Sequence, residues 1–279
     1  MAGSDASPAG IVVVRVRFAA HSVASGRVRR TFKHPRFCLA VEEPVALADV
    51  PREPAKPDPL DDLYVVFVPS RAAAEWKELG ADWLTPVDDP DAPAVALKCG
   101  DDRIEWRPGR AVVHLAAGVR DEILLGLIEF AFYEGELRRL EAEMETRETG
   151  AADDIPRSQT IRRHDKAHWP RFTAAIEAFA RMRLTFARLA PRFEHLAGAN
   201  VIPFAKLSAR LLRHARVERR TSALDARLEA CEELFEGAND RVADYLGWFN
   251  GHVLEVIIVA LLLLEVVLLT WDLLIRSNE

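Results

Sequence analysis

The chain has 279 residues, 49% hydrophobic and 29% charged, with a mean hydropathy of −0.03. That balance excludes a disordered tail, a collagen-like repeat and a small disulfide-stapled domain. A net charge of −6 argues against a globally basic nucleic-acid binder and leaves room for a local basic patch.

The first eighteen residues, MAGSDASPAGIVVVRVRF, lack the basic leader and long apolar stretch of a secretory signal. Residues 11–36 are rich in Arg and free of Asp and Glu, a bias shared with organelle transit peptides. Within them, 11–18 alternates as a strand does and sets Arg15 and Arg17 on one face. Further strands are predicted over 37–41, 64–68, 95–98, 104–106 and 112–115. Each is short, rich in β-branched or aromatic residues, and flanked by Pro, Gly or Asp. Residues 71–79 (RAAAEWKEL) read as a short helix stopped by Gly80, and 51–62 (PREPAKPDPLDD) as a proline-rich connector. The expectation for 1–118 is a small mixed α/β domain.

No strand signal survives beyond Asp121. Residues 121–147 predict a long amphipathic helix with Leu124, Ile128, Phe132 and Leu140 on its apolar face. A loop is expected over 148–157, which contains Gly150 and Pro156. A second helical region follows over 159–196, punctuated by Pro170 and Pro191. Gly198-Ala199-Asn200 ends it, and Pro203 opens the next helix.

From Val217 a heptad runs through Thr221, Leu224, Leu228, Cys231, Phe235, Ala238, Val242, Tyr245 and Phe249. These alternating four- and three-residue steps make a coiled-coil-like seam. It fits an antiparallel partner inside the chain's own bundle, or pairing between copies of the chain. Residues 119–252 are therefore expected to form a long-helix bundle. Its interface residues are expected to be Leu224, Leu228, Phe235, Val242, Tyr245 and Phe249.

Residues 253–275 read VLEVIIVALLLLEVVLLTWDLLI. As a helix, the near-continuous apolar part, 253–271, spans roughly 28 Å, close to the ~30 Å hydrocarbon core of a bilayer. Core helices keep a polar stripe, and this segment has almost none. A single transmembrane helix is predicted, with Trp271 as interfacial anchor and Arg276 able to snorkel beyond it. Lys206, Arg210, Arg213, Arg216, Arg219 and Arg220 lie upstream. By the positive-inside rule they place the bulk of the chain in the cytoplasm or the mitochondrial matrix.

Glu265 falls at mid-span, where a carboxylate costs a few kcal/mol or more. Glu255 lies ten residues earlier, about 80° away around the helix. The pair suits either ion or proton handling, or association of helices through hydrogen bonds.

His164 and His168 stand at i and i+4, the spacing with which zinc metalloproteases hold their metal. Asp165 replaces the usual Glu, Trp169-Pro170 interrupts at once, and no third ligand follows. Neither phosphate-cradling glycine motif is present, nor is a GxSxG elbow. Cys38, Cys99 and Cys231 are scattered without metal spacing. No catalytic residue, metal or cofactor is expected.

The stretch from His252 to Val267, with His252, Leu254, Glu255 and Glu265, resembles the C-terminal signature of the Required for Meiotic Nuclear Division family. This family is also called the YagE-type domain of unknown function. Val256 stands where that family usually has Trp. Tyr133-Glu134 is similar to a Tyr/Phe-Glu pair in the family's first long helix, and the layout of α/β part, long helices and one late span is also similar. The resemblance covers about 120–279.

It implies a membrane-anchored protein without known catalytic activity, whose organelle members sit at the inner membrane and support translation. The expected function is a non-enzymatic scaffold in a bacterial inner membrane, or alternatively a mitochondrial one. It would form homo-oligomers through its helices and span, with Glu255, Glu265 and His252 in association. An unidentified protein partner would be recruited on the cytoplasmic side. Two alternatives are weighed beside it. One is an oligomeric ion channel or transporter subunit, although the second span and Gly-Met-Asn motif of CorA-type channels are absent. The other is a metal-dependent hydrolase using His164 and His168.

Overall fold

A computed structural model describes residues 10–21, 26–50, 62–73, 76, 83–84, 95–99, 102–115, 120–152, 169–198 and 202–277. The protein is α+β: among the described residues seven strands form one mixed sheet, and four helices follow. The strands are β1 (Val12–Ala19), β2 (Arg27–Phe32), β3 (Cys38–Val45), β4 (Asp62–Pro69), β5 (Val95–Cys99), β6 (Asp102–Arg107) and β7 (Arg110–Leu115). Their order is β2-β3-β1-β4-β7-β6-β5; β4 and β7 run parallel, and every other neighbouring pair is antiparallel.

The period-two pattern of β1 divides its side chains between two faces. Val14 lies opposite Val65 and Val16 opposite Leu63, so one apolar row crosses the sheet. Phe18 of the same face meets Phe132 with ring centroids 5.9 Å apart. On the other face Val13, Val66, Val68 and Val112 pack with Trp76 and Trp83. Both faces being covered, the middle of β4 is apolar without alternation, as strands buried on both sides are. Arg15 and Arg17 do share a face; they pair with Asp62 and Glu43.

The six expected strands are present, with ends moved by up to four residues. β2 was not expected. Its sequence, RVRRTF, holds only two apolar residues, because it is an outer strand that buries little beyond Phe32. Of the expected helix at 71–79, the described residues show a 3-10 turn over Ser70–Ala72 and helical Ala73 and Trp76.

Helix α1 (Arg120–Ala152) carries Leu124, Ile128, Phe132 and Leu140 inward, as its periodicity required. Phe130, Leu137 and Met144 are buried too, so the helix is enclosed on more than one side. The loop expected from 148 is helix as far as Ala152. Gly150 is exposed with open space around it, a position where glycine costs a helix only about 1 kcal/mol.

Helix α2 (Trp169–Ala197) has Pro170 in its first turn, where its missing N–H matters least. It continues through Pro191, which does not punctuate it as expected. The Gly198 N–H donates to the Glu194 carbonyl at 3.0 Å and closes the end. Helix α3 (Ile202–His214) begins at Pro203's neighbour, and α4 (Val217–Ser277) follows after two residues. Arg216 there adopts φ 51°, a left-handed conformation that ends α3 without glycine.

The chain divides into two compact units: residues 1–146 with 181–228, and residues 147–180 with 229–279. Helices α1, α2 and α4 contribute to both, and α3 lies in the first. The boundary expected near 118 falls just before α1. The boundary expected at 252 falls inside α4, which is unbroken there.

Candidate functional site

Helix α4 holds nearly every residue to which the sequence assigned a role. At about 1.5 Å per residue its 61 residues extend roughly 90 Å. Its two ends have opposite surroundings.

Within 217–242 a stripe is buried at heptad spacing. Val217, Leu224 and Leu228 are buried in the first unit, and Phe235, Ala238 and Val242 in the second. Phe235 stacks on Phe179 of α2 at 5.6 Å and lies 6.3 Å from Phe172. Thr221, Cys231, Tyr245 and Phe249 are half-buried. The apolar seam residues Leu224, Leu228 and Phe235 are thus covered by the chain's own residues.

From Asn250 to Trp271 every residue is exposed. Val253 is 40% exposed and Leu263 62%, with the intervening aliphatics of comparable exposure. Among the described residues, one helix is long and apolar enough to cross a membrane, and this is its apolar part. Two tryptophans bracket it, Trp248 and Trp271, each 66% exposed. They stand 23 residues apart, about 34 Å along the axis, a little more than the ~30 Å thickness of a bilayer's hydrocarbon core.

Trp248 belongs to an aromatic group that the heptad reading had divided differently. Its ring lies parallel to His252 at 5.6 Å; Tyr245 stacks on Phe249 at 6.4 Å and also lies 6.4 Å from Trp248. The signal was in the sequence: four aromatic or imidazole rings within eight residues, directly before the apolar run.

His252 Nδ1 lies 3.7 Å from Glu255 Oε2, one turn on. Glu265 is not brought to them; it stands about 15 Å farther along the helix. Thr270, the other polar residue late in the segment, donates its hydroxyl to the carbonyls of Val266 (3.0 Å) and Val267 (2.8 Å). Thr146, Thr185 and Thr221 make the same bond one turn back in the other parts of the helices. Arg276 falls in the last turn of α4.

Gly247 and Gly251 are one turn apart, and a Cβ on either would meet nothing within 4 Å. No close packing within the chain therefore demands glycine at these positions. Eighteen residues separate Gly247 from Glu265, five full turns, so both lie on one line along the helix. Gly251 lies about 40° and Glu255 about 80° from that line.

A buried ionic group ties α1 to the start of α4, and the sequence reading did not find it. Glu134 is 2% exposed and accepts from Arg220 at 2.8 Å and from Arg138 at 2.5 Å. Arg220 also reaches both carboxylate oxygens of Glu141, at 2.8 and 2.6 Å. Burial alone would lower the Arg220 pKa; hydrogen bonds to Glu141 and the charge of Glu134 overcome it and raise the pKa. Arg220 thus serves the fold and not only the basic run in which it was counted. So does Arg210, which donates to the Lys98 carbonyl.

Among the described residues no group of three His, Cys, Asp or Glu is placed to hold a metal. His164, Asp165 and His168 lie outside the described residues. No family model matches the chain, and no curated protein matches it at a significant level.

Proposed function

We propose that the protein is a non-catalytic scaffold anchored in a membrane by residues 253–271 of α4. The single observation that carries this reading is an unbroken helical segment of 19 residues, almost wholly apolar, with every side chain exposed. Left in water, so large an apolar surface would drive association or insertion. A bilayer covers it, and Trp248 and Trp271 then meet the two interfaces. The resemblance to the Required for Meiotic Nuclear Division family over 252–267 points the same way.

The proposed location is the bacterial inner membrane, with the mitochondrial inner membrane as alternative and the bulk of the chain in cytoplasm or matrix. The scaffold assembles with further copies of itself through the span. Gly247, Gly251 and Glu265 support this, since small residues let helices approach and a mid-membrane carboxylate gains from a neighbouring helix's hydrogen bond. Because Leu224, Leu228 and Phe235 are covered within the chain, assembly relies on the span and not on those seam residues. The folded unit is left to recruit a partner protein.

Fractionation of cells expressing the full chain, beside a chain ending at Asn250, tests the anchor. The full chain should resist carbonate extraction and the shorter one should be soluble. A soluble full chain would overturn the proposal. Light scattering in mild detergent tests the assembly: Glu265→Leu should reduce the oligomer size, and an unchanged size would remove Glu265 from the interface.

A further inference from the structure

The outer strand β2 and the turn after it carry Arg27, Arg29, Arg30, Lys33, His34 and Arg36 within ten residues. Pairing with β3 shifts between Val28 and Arg30. Arg29 turns inward to Glu42 and Asp121 and is 11% exposed at its side chain, whereas Arg30 stays 51% exposed and reaches Glu129. These ion pairs fix the strand against its neighbours and against α1.

The 28–34 segment, Tyr133 of α1 and Arg192 of α2 enclose a cleft of about 630 Å³, all within the first unit. Its lining contains Arg29, Arg30, Lys33, His34 and Arg192, and no carboxylate. Two of these side chains, Arg29 and Arg30, are already paired. Among the described residues, Lys33, His34 and Arg192 have no ion-pair partner. Arg192 is half-buried beside Tyr133. Burial raises the pKa of the Tyr133 hydroxyl, helped by the charge of Glu129, which is itself paired with Arg30, and opposed by Arg192 and Arg30, so the hydroxyl stays a hydrogen-bond donor at neutral pH.

Charged residues on an edge strand commonly serve to block strand pairing. That role does not account for Arg192, which arrives from a helix about 160 residues later and converges on the same opening. Unpaired cations around a cleft select an anion, and a guanidinium fork suits phosphate oxygens best. The volume lies in the range of small-molecule sites and far exceeds one inorganic phosphate. Val28, 53% exposed, and the Tyr133 ring add apolar surface for the rest of such a ligand.

We propose that this cleft binds a small phosphate ester of about nucleotide size, its phosphate held by Arg192 and Lys33 with Tyr133 donating to it. A free nucleotide and the glycerophosphate headgroup of a lipid share that chemistry. The inference does not depend on the membrane anchor.

The full chain in non-ionic detergent should be titrated calorimetrically with ATP, with glycerol 3-phosphate, and with a ten-nucleotide single-stranded RNA. Saturable one-to-one binding of either small ester is expected. It should weaken about ten-fold or more in both Arg192→Gln and Lys33→Gln, and hold in the exposed control Arg139→Gln. Preference for ATP assigns a nucleotide, and binding of glycerol 3-phosphate alone assigns a lipid-type headgroup. Thermal melting of each variant checks the fold, and Lys33, being exposed, leaves it intact. Absence of saturable binding, binding of RNA alone, or equal affinity in both cleft variants would overturn the proposal.

Discussion

Compare β4 with the last third of α4. Leu63, Val65, Val66 and Val68 are 0% exposed; Leu262, Leu263, Leu264 and Val266, of the same chemistry, are 54–62% exposed. The strand's apolar run is buried on both sides by the sheet's own coverings. Among the described residues, nothing covers the helix's run. An apolar run thus does not fix burial by itself; the tertiary structure decides whether the chain covers it.

One substitution made in both regions tests that contrast most directly. Val65→Asp puts an unpaired carboxylate in a closed core and should unfold the protein, at a cost of about 4 kcal/mol or more. Leu262→Asp should leave the denaturation midpoint in detergent unchanged and cut membrane retention instead, by about 3 kcal/mol in insertion free energy. Loss of folding by Leu262→Asp would erase the difference between the regions.

The seam sharpens it within a single helix. Phe235→Ala removes a ring packed on Phe179 and should destabilise by about 3–5 kcal/mol in urea titration. Leu264→Ala, exposed on the same helix, should change the midpoint by less than about 0.5 kcal/mol.

Arg220→Leu strips Glu134 of one of its two cations and should cost about 2 kcal/mol or more. Arg219→Leu, an exposed neighbour in the same basic run, should cost little by comparison.

The smallest effect concerns pH. Burial, reinforced by Arg103 and opposed by Glu105, holds the His114 imidazole below its ordinary value of about 6.5. The fold therefore favours the neutral ring. Its contribution is full above about pH 6.5 and is lost as pH falls from there through the lowered folded value. Urea midpoints should drop between pH 7.5 and 5.5, and drop less in His114→Gln.

Six strands, the amphipathic face of α1 and the apolar length of 253–271 were legible because each is a periodicity or composition carried by neighbouring residues. β2 was not, because an outer strand with one buried ring has almost no apolar alternation to read. The α3–α4 break was hidden for a related reason: Arg216 takes the left-handed conformation without the glycine that usually marks it. The His252–Glu255 contact follows from helical spacing, whereas the Glu134–Arg220 pair joins residues 86 apart.

The sequence by itself determined six of the strands, the amphipathic face of α1 and the apolar helical run of residues 253–271, since local pattern and composition suffice for these. Only the tertiary structure decided the strand order, the inward direction of the heptad seam, and the meeting of β2, Tyr133 and Arg192 around one cleft. Those depend on long-range closure, which brings distant residues together by the burial their whole elements gain, with no mark left at the residues themselves.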